Sequence, residues 1–481
     1  MAYKVSDRMQ QIFLPPIIDD YVGPQDPVRV YDAFIDALDF KKLGIPLEAK
    51  PGADEYDPKA MLKLIVYGTS YGLRASRKLE RACHHNLSFQ WIMGGHKPDY
   101  STIARFRSEH KEAIKKVLKK CVHMCMKLDL IEGNTLFTDG GKFRANASIN
   151  NTYTKKRAEE SIQKIERHID EIIDESEKID QQEEKEQSLI KLKEQIHEKA
   201  KLVNKMKDVL SELEATSKDS INIVDGDAVN AKTRQGTHAI HNVQSTVDGK
   251  HGLIVNVDCV SQHDDSNQLS SQIQQAAEIL GHKPQHVAAD AKYSSVEDVK
   301  KVDGEINVVV PTQKQAQEAK GLHPLKPFDK KHFVYNQPID EYICPEGKHL
   351  KFRSFSPEHH KIYQAKASEC RACPHFGDPE LGECTQSSAG RRITRLADEE
   401  FKEQMEANYL LPENQAIYKL RKEKVEHPFG HMKRNLGAGQ FMLRGKAKVD
   451  AEAAILATCF NLTRMITITG VTQLMIKLSG I

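Results

Sequence analysis

A run of regularly spaced isoleucines and leucines in the first half of the chain constrains the fold most strongly. Apolar side chains recur at steps of three and four residues from Ile162 to Leu213, and most positions between them are charged. Such a heptad pattern is typical of helices that pair along one apolar seam. The spacing lapses between Asp180 and Ser188, which indicates two helices. The apolar positions are Ile162, Ile165, Ile169, Ile172 and Ile179, then Leu189, Leu192, Ile196, Val203, Met206, Leu210 and Leu213.

The two predicted helices are expected to fold back on each other as a hairpin. A single helix of about 60 residues would hold its ends about 90 Å apart, whereas the flanking segments have the character of neighbouring strands in one sheet. We therefore predict a coiled-coil insert over residues 155–217. Two interpretations stay open: an arm for dimerisation or DNA clamping, and an insert that packs only on itself.

Segments on either side of this insert have the pattern of β-strands. Short apolar runs end in Asp139 and Asp290. Between them, Asp248-Gly249 marks a hairpin turn between two alternating runs. Helical patterns follow over residues 268–280 and from residue 294. Strands interleaved with helices predict an α/β core that is interrupted by inserts.

The N-terminal part of the chain has mainly helical periodicity. Asp99 or Ser101 is able to cap the free N–H groups at the start of a helix over residues 102–118, and Arg105 and Arg107 lie on this helix. A capped basic helix preceded by short helices is typical of a helix-turn-helix domain that binds DNA. The alternative is a helical bundle whose basic residues form an ordinary solvated face.

The overall composition sets weaker limits. The 481-residue chain carries 70 Lys+Arg against 68 Asp+Glu, so local charge must decide whether it binds nucleic acid. The first residues lack the apolar run of a signal peptide, and no stretch of about 18 apolar residues predicts a membrane span. We expect a soluble cytoplasmic protein with no membrane partner.

The nine cysteines are an odd count that fits a reducing compartment better than a disulfide scaffold. Those in an irregular segment rich in Pro and Gly are Cys344, Cys370, Cys373 and Cys384. Four thiolates are able to bind Zn²⁺ tetrahedrally and stabilise a segment with little core. Only one C-x-x-C pair occurs, so structural zinc and free thiols both stay open, with His349 and His375 as alternative ligands. The others are expected to be small core residues: Cys83, Cys121, Cys125, Cys259 and Cys459.

Three acidic residues are candidates for a catalytic metal site. Asp139 and Asp290 end strands, and Glu426 lies on a predicted helix among basic residues. Carboxylates that converge from strand ends and a helix are able to hold hard divalent cations. Two such ions about 4 Å apart support in-line attack on a phosphodiester. The pattern alone is weak, because 68 acidic residues offer many accidental triples and a strand-end aspartate often caps a turn.

Separated motifs in the chain resemble those of bacterial insertion-sequence DDE transposases, and they occur in the family's order. They are Pro98-Asp-Tyr-Ser-Thr-Ile-Ala-Arg-Phe-Arg107, Thr138-Asp139-Gly-Gly-Lys142-Phe-Arg144, Ala289-Asp290-Ala-Lys292-Tyr, Val425-Glu426-His-Pro-Phe429-Gly430-His-Met-Lys433, and Ala454-Ile-Leu-Ala-Thr-Cys-Phe-Asn461-Leu. The resemblance implies an α/β fold with a ribonuclease-H-like mixed-sheet core, a helical N-terminal domain and a small cysteine-bearing insert.

The sequence patterns divide the chain into domains, and the resemblance implies the metal ligands. Asp139, Asp290 and Glu426 would bind two Mg²⁺ or Mn²⁺ ions. The predicted divisions are a helical, DNA-binding domain over residues 1–130, the catalytic core over residues 131–154, 218–320 and 400–481, the coiled-coil insert over residues 155–217, and the cysteine-rich insert over residues 321–399.

Basic residues around the third acidic motif would hold phosphates of the transposon end. By resemblance these are Tyr418, Lys433 and a basic residue between Tyr418 and Glu426. Arg421 has the family's distance from Tyr418, while Lys422 has the family's distance from Glu426, so this role stays open between the two. Arg434 belongs to the same basic stretch. The alternative to a phosphate-binding role for this stretch is an ordinary solvated helix face.

The implied activity is that of a transposase that cuts and joins DNA. Metal-activated water would nick the element's ends, and the freed 3′-hydroxyl would attack target DNA. The expected partners are double-stranded DNA and further copies of the chain, in a homodimer or larger synaptic complex on the nucleoid. The alternatives are a metal-dependent endonuclease without strand transfer and a non-catalytic DNA-binding relic. Asp225 and Asp227 are interpreted as turn residues, with an outer role at the site as the alternative.

Overall fold

A computed structural model describes residues 17–47, 55–180, 186–216, 218–233, 235–322, 327–377 and 383–480. The first residues, and the heptad side chains of Ile179, Leu189 and Leu192, lie outside what is described. The chain divides into two compact units. The first comprises residues 1–287 and 421–481, and the second comprises residues 288–420.

Helices form the N-terminal part of the first unit. They are α1 (Val28–Asp36), α2 (Phe40–Leu43), α3 (Pro58–Ser70), α4 (Ser76–His85), α5 (Leu87–Ile92), α6 (Tyr100–Glu109) and α7 (Lys111–Lys127). Asp99 caps α6, since its carboxylate accepts hydrogen bonds from the backbone N–H groups of Ser101 and Thr102. The prediction of one helix over residues 102–118 is wrong. The chain leaves helical geometry at His110, whose ψ is 22° and whose ring packs 4.5 Å from that of Phe106.

A sheet forms the centre of the first unit. Its strands and two short accessory strands are β1 (Thr135–Arg144), β2 (Thr152–Tyr153), β3 (Ile221–Asn222), β4 (Val229–Thr233), β5 (Gly236–Asp248), β6 (Ile254–Val260) and β7 (His286–Ala289), which reaches the boundary of the unit. β1 lies between β5 and β7, while β4 and β6 both pair with β5. β1, β5 and β6 form an antiparallel meander, and β7 then returns to the other side of β1. This is the α/β, ribonuclease-H-like core that was expected.

Two long helices occupy the predicted insert, namely α8 (Lys155–Asp180) and α9 (Glu186–Ala215). Ile162, Val203 and Met206 are buried between them. At their base, β2 and β3 pair antiparallel, with Thr152 opposite Asn222. The start of α8 and the end of α9 therefore lie side by side, as expected for a helical hairpin.

Further helices cover the sheet and complete the core. They are α10 (Leu269–Leu280) and, after the second unit, α16 (Lys446–Thr469) and α17 (Val471–Ser479). Asn461 docks α16 on β6, because its side-chain amide accepts from the N–H of Ile254 and donates to the carbonyl of Ile254, both at 2.8 Å. Among the described residues α16 is the one helix long and apolar enough to cross a membrane. Of its apolar window 67% is buried, as in a core helix.

The second unit contains a sheet that the sequence did not predict. The elements of the second unit are α11 (Val296–Val299), β8 (Asn307–Val309), α12 (Gln313–Glu318), β9 (Val334–Asn336), β10 (Glu341–Ile343), β11 (His349–Phe355), β12 (Lys361–Ala365), α13 (Ala367–Arg371), β13 (Arg392–Arg395), α14 (Glu399–Leu410) and α15 (Pro412–Arg434). The last of these, α15, continues into the first unit. Five antiparallel strands lie in the order β13-β12-β11-β10-β9. Phe333, Tyr342, Leu350 and Tyr363 are buried in a small core on this sheet.

Candidate active site

Asp139 lies in the middle of β1, opposite Ser245 of β5, and its side chain is 20% exposed. On α15, the Nη1 atom of Arg421 lies 3.5 Å from Oδ1 of Asp139. Two residues along β1, a Cβ atom at Gly141 would lie only 2.7 Å from the ring of Phe429 on the same helix. Glycine at this position therefore allows α15 to cross directly over β1.

Glu426 lies on α15 between these two contacts, and its side chain is exposed. Since residues four apart share a helix face, Lys422 lies on the stripe of Glu426. Arg421 instead shares a stripe with Val425, which is 2% exposed. The two candidate basic residues therefore face different surroundings.

Lys433 lies seven residues after Glu426, about two turns along α15, near two aromatic rings. Its Nζ atom is 4.6 Å from the ring centroid of Phe143 and 6.0 Å from that of Phe429. Rings of this kind attract a cation without neutralising it. Arg434 beside it is exposed. This end of α15 thus offers positive charge next to β1.

Asp290 and Tyr418 belong to the second unit. Asp290 follows β7, and its carboxylate accepts a hydrogen bond of 2.8 Å from the backbone N–H of Lys292. This is the turn-capping role that a strand-end aspartate often has. The ring of Tyr418 packs edge-on against Tyr409 at 5.1 Å between centroids.

Sequence reasoning missed a buried carboxylate behind β1. Asp265 is 4% exposed, and its Oδ1 accepts hydrogen bonds from the side-chain amides of Asn242 (2.9 Å) and Gln244 (2.8 Å). A Cβ atom at Gly140 would lie 2.0 Å from this oxygen. Glycine is therefore required at position 140 because the Asp265 carboxylate approaches the backbone there. The Asp-Gly-Gly motif was the only sequence signal of this approach.

Asp225 and Asp227 make the contacts of turn and capping residues. The carboxylate of Asp225 lies 3.0 Å from Nε2 of His241 and accepts from the N–H of Gly445, while Asp227 accepts from the N–H of Lys446. Burial acts to raise the pKa of Asp225, but its hydrogen bond and attraction to His241 outweigh burial and hold the pKa below its ordinary value. Both aspartates thus fix the start of α16.

The two arginines predicted to contact DNA differ in their surroundings. Arg105 is exposed. Arg107 donates a hydrogen bond to the carbonyl of Arg74, and burial lowers its pKa to about 10. Arg74 in turn forms an ion pair with Glu452 and donates to the carbonyl of Gly437. Arg107 therefore helps fasten α6 to the core.

The cysteines of the second unit gather around one enclosed cavity, which His375 also lines: Cys344, Cys370, Cys373 and Cys384. The sulfur of Cys344 accepts the N–H of Lys348, and that of Cys370 accepts the N–H of Arg391. Burial, reinforced by the other three thiols, raises the pKa of Cys384. The cysteines expected in the core are buried, as predicted: Cys83, Cys121, Cys125, Cys259 and Cys459.

The candidate metal ligands are three carboxylates for magnesium and four thiols for zinc. Within the described ranges, no three histidine, cysteine, aspartate or glutamate side chains are grouped so as to hold a metal ion. The chemistry of both donor sets is nevertheless appropriate, since carboxylates suit magnesium and thiolates suit zinc. Both metal sites therefore stay predictions.

Two family models match the chain. Residues 16–109 match a transposase domain (DUF772), and residues 343–466 match a transposase DDE domain. The second match contains Glu426 and the four clustered cysteines, whereas Asp139 and Asp290 lie before it. Searches of curated proteins and of solved structures gave no match. The two matches, in the order expected from the motifs, support the resemblance of the chain to insertion-sequence DDE transposases.

Proposed function

We propose that the protein binds the ends of an insertion sequence, cleaves the DNA there by metal-dependent hydrolysis, and joins the 3′-hydroxyl ends to target DNA. The observation that carries this proposal is the path of α15 across β1. It brings Arg421 to Asp139 and carries Glu426 on the same stretch of helix. Acidic and basic groups at one strand suit a reaction on phosphates.

Asp139, Asp290 and Glu426 are the proposed ligands of two Mg²⁺ or Mn²⁺ ions. When bound, such ions lower the pKa of an attacking water or 3′-hydroxyl and stabilise the leaving oxygen. The chain itself supplies the support for Asp139. Arg421 holds its carboxylate from α15, and Gly140 allows Asp265 to pack behind the strand.

Phosphate binding is proposed for the basic residues of α15. Lys422 is exposed on the stripe of Glu426, and Lys433 is held over the ring of Phe143. Arg434 and Tyr418 complete the proposed set. Lysine and arginine fix the register of a DNA backbone without reading its sequence, so these residues would position the cleaved phosphate.

Recognition of the transposon ends is proposed for the helical N-terminal region. Arg105 of α6 is the better-supported contact, because it is exposed whereas Arg107 bonds to the protein backbone. The protein would act as a soluble cytoplasmic dimer or larger synaptic complex. In such a complex, the α8–α9 hairpin is available as an arm between copies.

A structural zinc ion is proposed for the cysteine cluster of the second unit. Its support is the shared cavity and the backbone N–H groups that already bond to the sulfurs of Cys344 and Cys370. Outer partners of this kind orient metal ligands. The proposed role is to hold a sheet whose apolar core is small.

A strand-transfer assay tests the proposed function as a whole. The inverted repeats beside the gene supply the DNA ends, which are offered pre-cut with a supercoiled target and Mg²⁺. A transposase joins the 3′ ends covalently to the target. An endonuclease on the same core would nick the repeats and leave no joined product, and that result would refute the joining step.

A further inference from the structure

We propose that the exposed face of the β9–β13 sheet is a separate binding surface for the phosphate backbone of duplex DNA. The proposal rests on the proposed function only in that the substrate is DNA. The surface, here called the cationic sheet face, is formed by Lys351, Arg353, Gln364 and Arg392.

Strand register brings the charges of this face together. Lys351 on β11 pairs with Gln364 on β12, and Gln364 pairs with Arg392 on β13. Directly paired residues have Cβ atoms about 5 Å apart and on one side of a sheet. Arg353 lies in a β-bulge of β11, and its hydrogen bond to Gln364 places its guanidinium on the same side. Three cations therefore surround one neutral side chain.

The two arginines share a single neutral acceptor. Arg353 donates to Oε1 of Gln364, and Nε of Arg392 donates to the same oxygen at 3.1 Å. The side-chain nitrogen of Gln364 donates to the carbonyl of Ala389, which fixes the amide orientation. Two guanidinium groups on one uncharged oxygen repel each other. An anion that binds both guanidinium groups would relieve this repulsion. An isolated surface arginine in water has no such repulsion to relieve.

Neighbouring groups leave this face positive. The cationic sheet face borders a groove of about 1030 Å³ whose rim carries Lys348 and Lys366. The acids of the rim are Glu341, which pairs with His349 and Lys351, and Glu369, which pairs with Lys366 at 3.8 Å. Two carboxylates thus face five lysines and arginines. Arg353 and Arg392 bond to amide oxygen rather than to either carboxylate.

The shape of the surface favours a nucleic-acid backbone. Lys351, Arg353 and Arg392 are all exposed on the sheet, and charged and polar side chains line the groove together with Phe352 and three alanines. Duplex DNA presents one negative charge per about 1.7 Å of its axis. Cations on β11 and β13, with Gln364 of β12 between them, match a linear array of phosphates better than they match one small anion.

Salt-dependent DNA binding tests the surface. The full-length protein is titrated by fluorescence anisotropy against a labelled duplex of random sequence, over NaCl from about 50 to 250 mM. The test variant combines Lys351→Gln, Arg353→Gln and Arg392→Gln. The matched control removes three exposed lysines elsewhere, by Lys301→Gln, Lys320→Gln and Lys477→Gln. Circular dichroism checks that each variant is folded.

We expect the test variant to bind DNA at least about tenfold more weakly, with the slope of log K against log salt reduced by about 2 to 3. The control variant keeps the wild-type slope to within about one. DNA should also slow amide hydrogen exchange in β11 and β12. An unchanged slope in the test variant, an equal loss in the control, or stronger competition by an acidic protein than by duplex would overturn the proposal.

The assay separates this proposal from the catalytic one. Binding is measured without metal and needs no cleavage. If wild-type protein never cleaves or joins DNA but the two variants differ as expected, the cationic sheet face stands while the transposase mechanism falls. If cleavage and joining occur and the variants bind alike, the reverse holds.

Discussion

Nη1 of Arg421 lies 3.5 Å from Oδ1 of Asp139, so a helix residue five positions before Glu426 contacts the strand that bears the first predicted metal ligand. An arginine is charged at every physiological pH. The contact therefore gives Arg421 a partner inside the proposed site, whereas Lys422 is exposed on the stripe of Glu426. The two basic residues that the sequence left as alternatives thus lie in different surroundings.

Substitution of these two residues should separate catalysis from DNA binding. Arg421→Ala is expected to slow single-turnover cleavage at saturating DNA by about tenfold or more, or about 1.4 kcal/mol of transition-state stabilisation, because Asp139 loses its partner. Lys422→Ala is expected to leave that rate nearly unchanged and to reduce the salt slope of DNA binding by about 1. The opposite pattern would exchange the two roles.

A single added methyl group at Gly140 should disturb the site from behind. In Gly140→Ala, the new Cβ meets Oδ1 of Asp265, which two amides hold in place. We expect a loss of about 1 to 3 kcal/mol in unfolding free energy, with slower cleavage. Urea denaturation measures the first quantity.

Gly226→Ala is the matched control for that change, because a Cβ at Gly226 meets no atom within 4 Å. Combining Gly140→Ala with Asp265→Ala should recover part of the lost stability, since the colliding carboxylate is removed. Equal stability of the Gly140 and Gly226 variants would show that the approach of Asp265 to β1 is not required.

The Asp225 carboxylate should contribute to stability in a pH-dependent way. Its pKa is held below the ordinary value by His241 against the effect of burial. A lowered folded-state pKa means that the contribution is present above about pH 4 and disappears as pH falls through the folded-state pKa. Asp225→Ala should therefore cost about 1 to 3 kcal/mol at pH 7 and progressively less below pH 4.

Urea midpoints of wild type and Asp225→Ala between about pH 7 and pH 3 measure that difference. The exposed Asp219, changed to Ala, serves as the control. A gap between wild type and the Asp225 variant that widens on acidification would contradict the sign of the pKa shift.

The zinc proposal predicts metal in the purified protein. Elemental analysis should find one Zn²⁺ per chain, and Cys370→Ser together with Cys373→Ser should remove it and lower the thermal midpoint. The double change of the core cysteines Cys83→Ser and Cys121→Ser controls for loss of thiols, and its zinc content should stay at one. Zinc-free wild-type protein whose midpoint a chelator does not change would refute the site.

Periodicity predicted the elements whose pattern is strong and local. The α8–α9 hairpin followed from its 3-4 spacing, the cap of α6 from Asp99, and the β5–β6 hairpin from Asp248-Gly249. The sheet of the second unit was not predicted, because its strands are short and β11 is exposed at most positions. Alternation between apolar and polar residues is lost when a strand has so little core to cover.

The candidate site could be predicted only in part from the sequence, because some of its contacts join residues that are far apart in the chain. Motifs name Asp139 and Glu426, but the contact of Arg421 with Asp139 joins residues far apart in the chain. Asp265 was not predicted, since its role depends on the close approach to Gly140, to which only the Asp-Gly-Gly motif pointed. The break at His110 is likewise a tertiary effect, because no glycine or proline marks it.

Metal-dependent DNA cleavage by three separate variants tests the central claim most directly. Asp139→Asn, Asp290→Asn and Glu426→Gln keep side-chain size and remove one charge each. With a duplex that carries the element's end, Mg²⁺ should support cleavage by wild type, and each variant should lose it by about a thousandfold or more while still binding the duplex. If all three variants cleaved at the wild-type rate in Mg²⁺, the assigned catalytic site would be wrong.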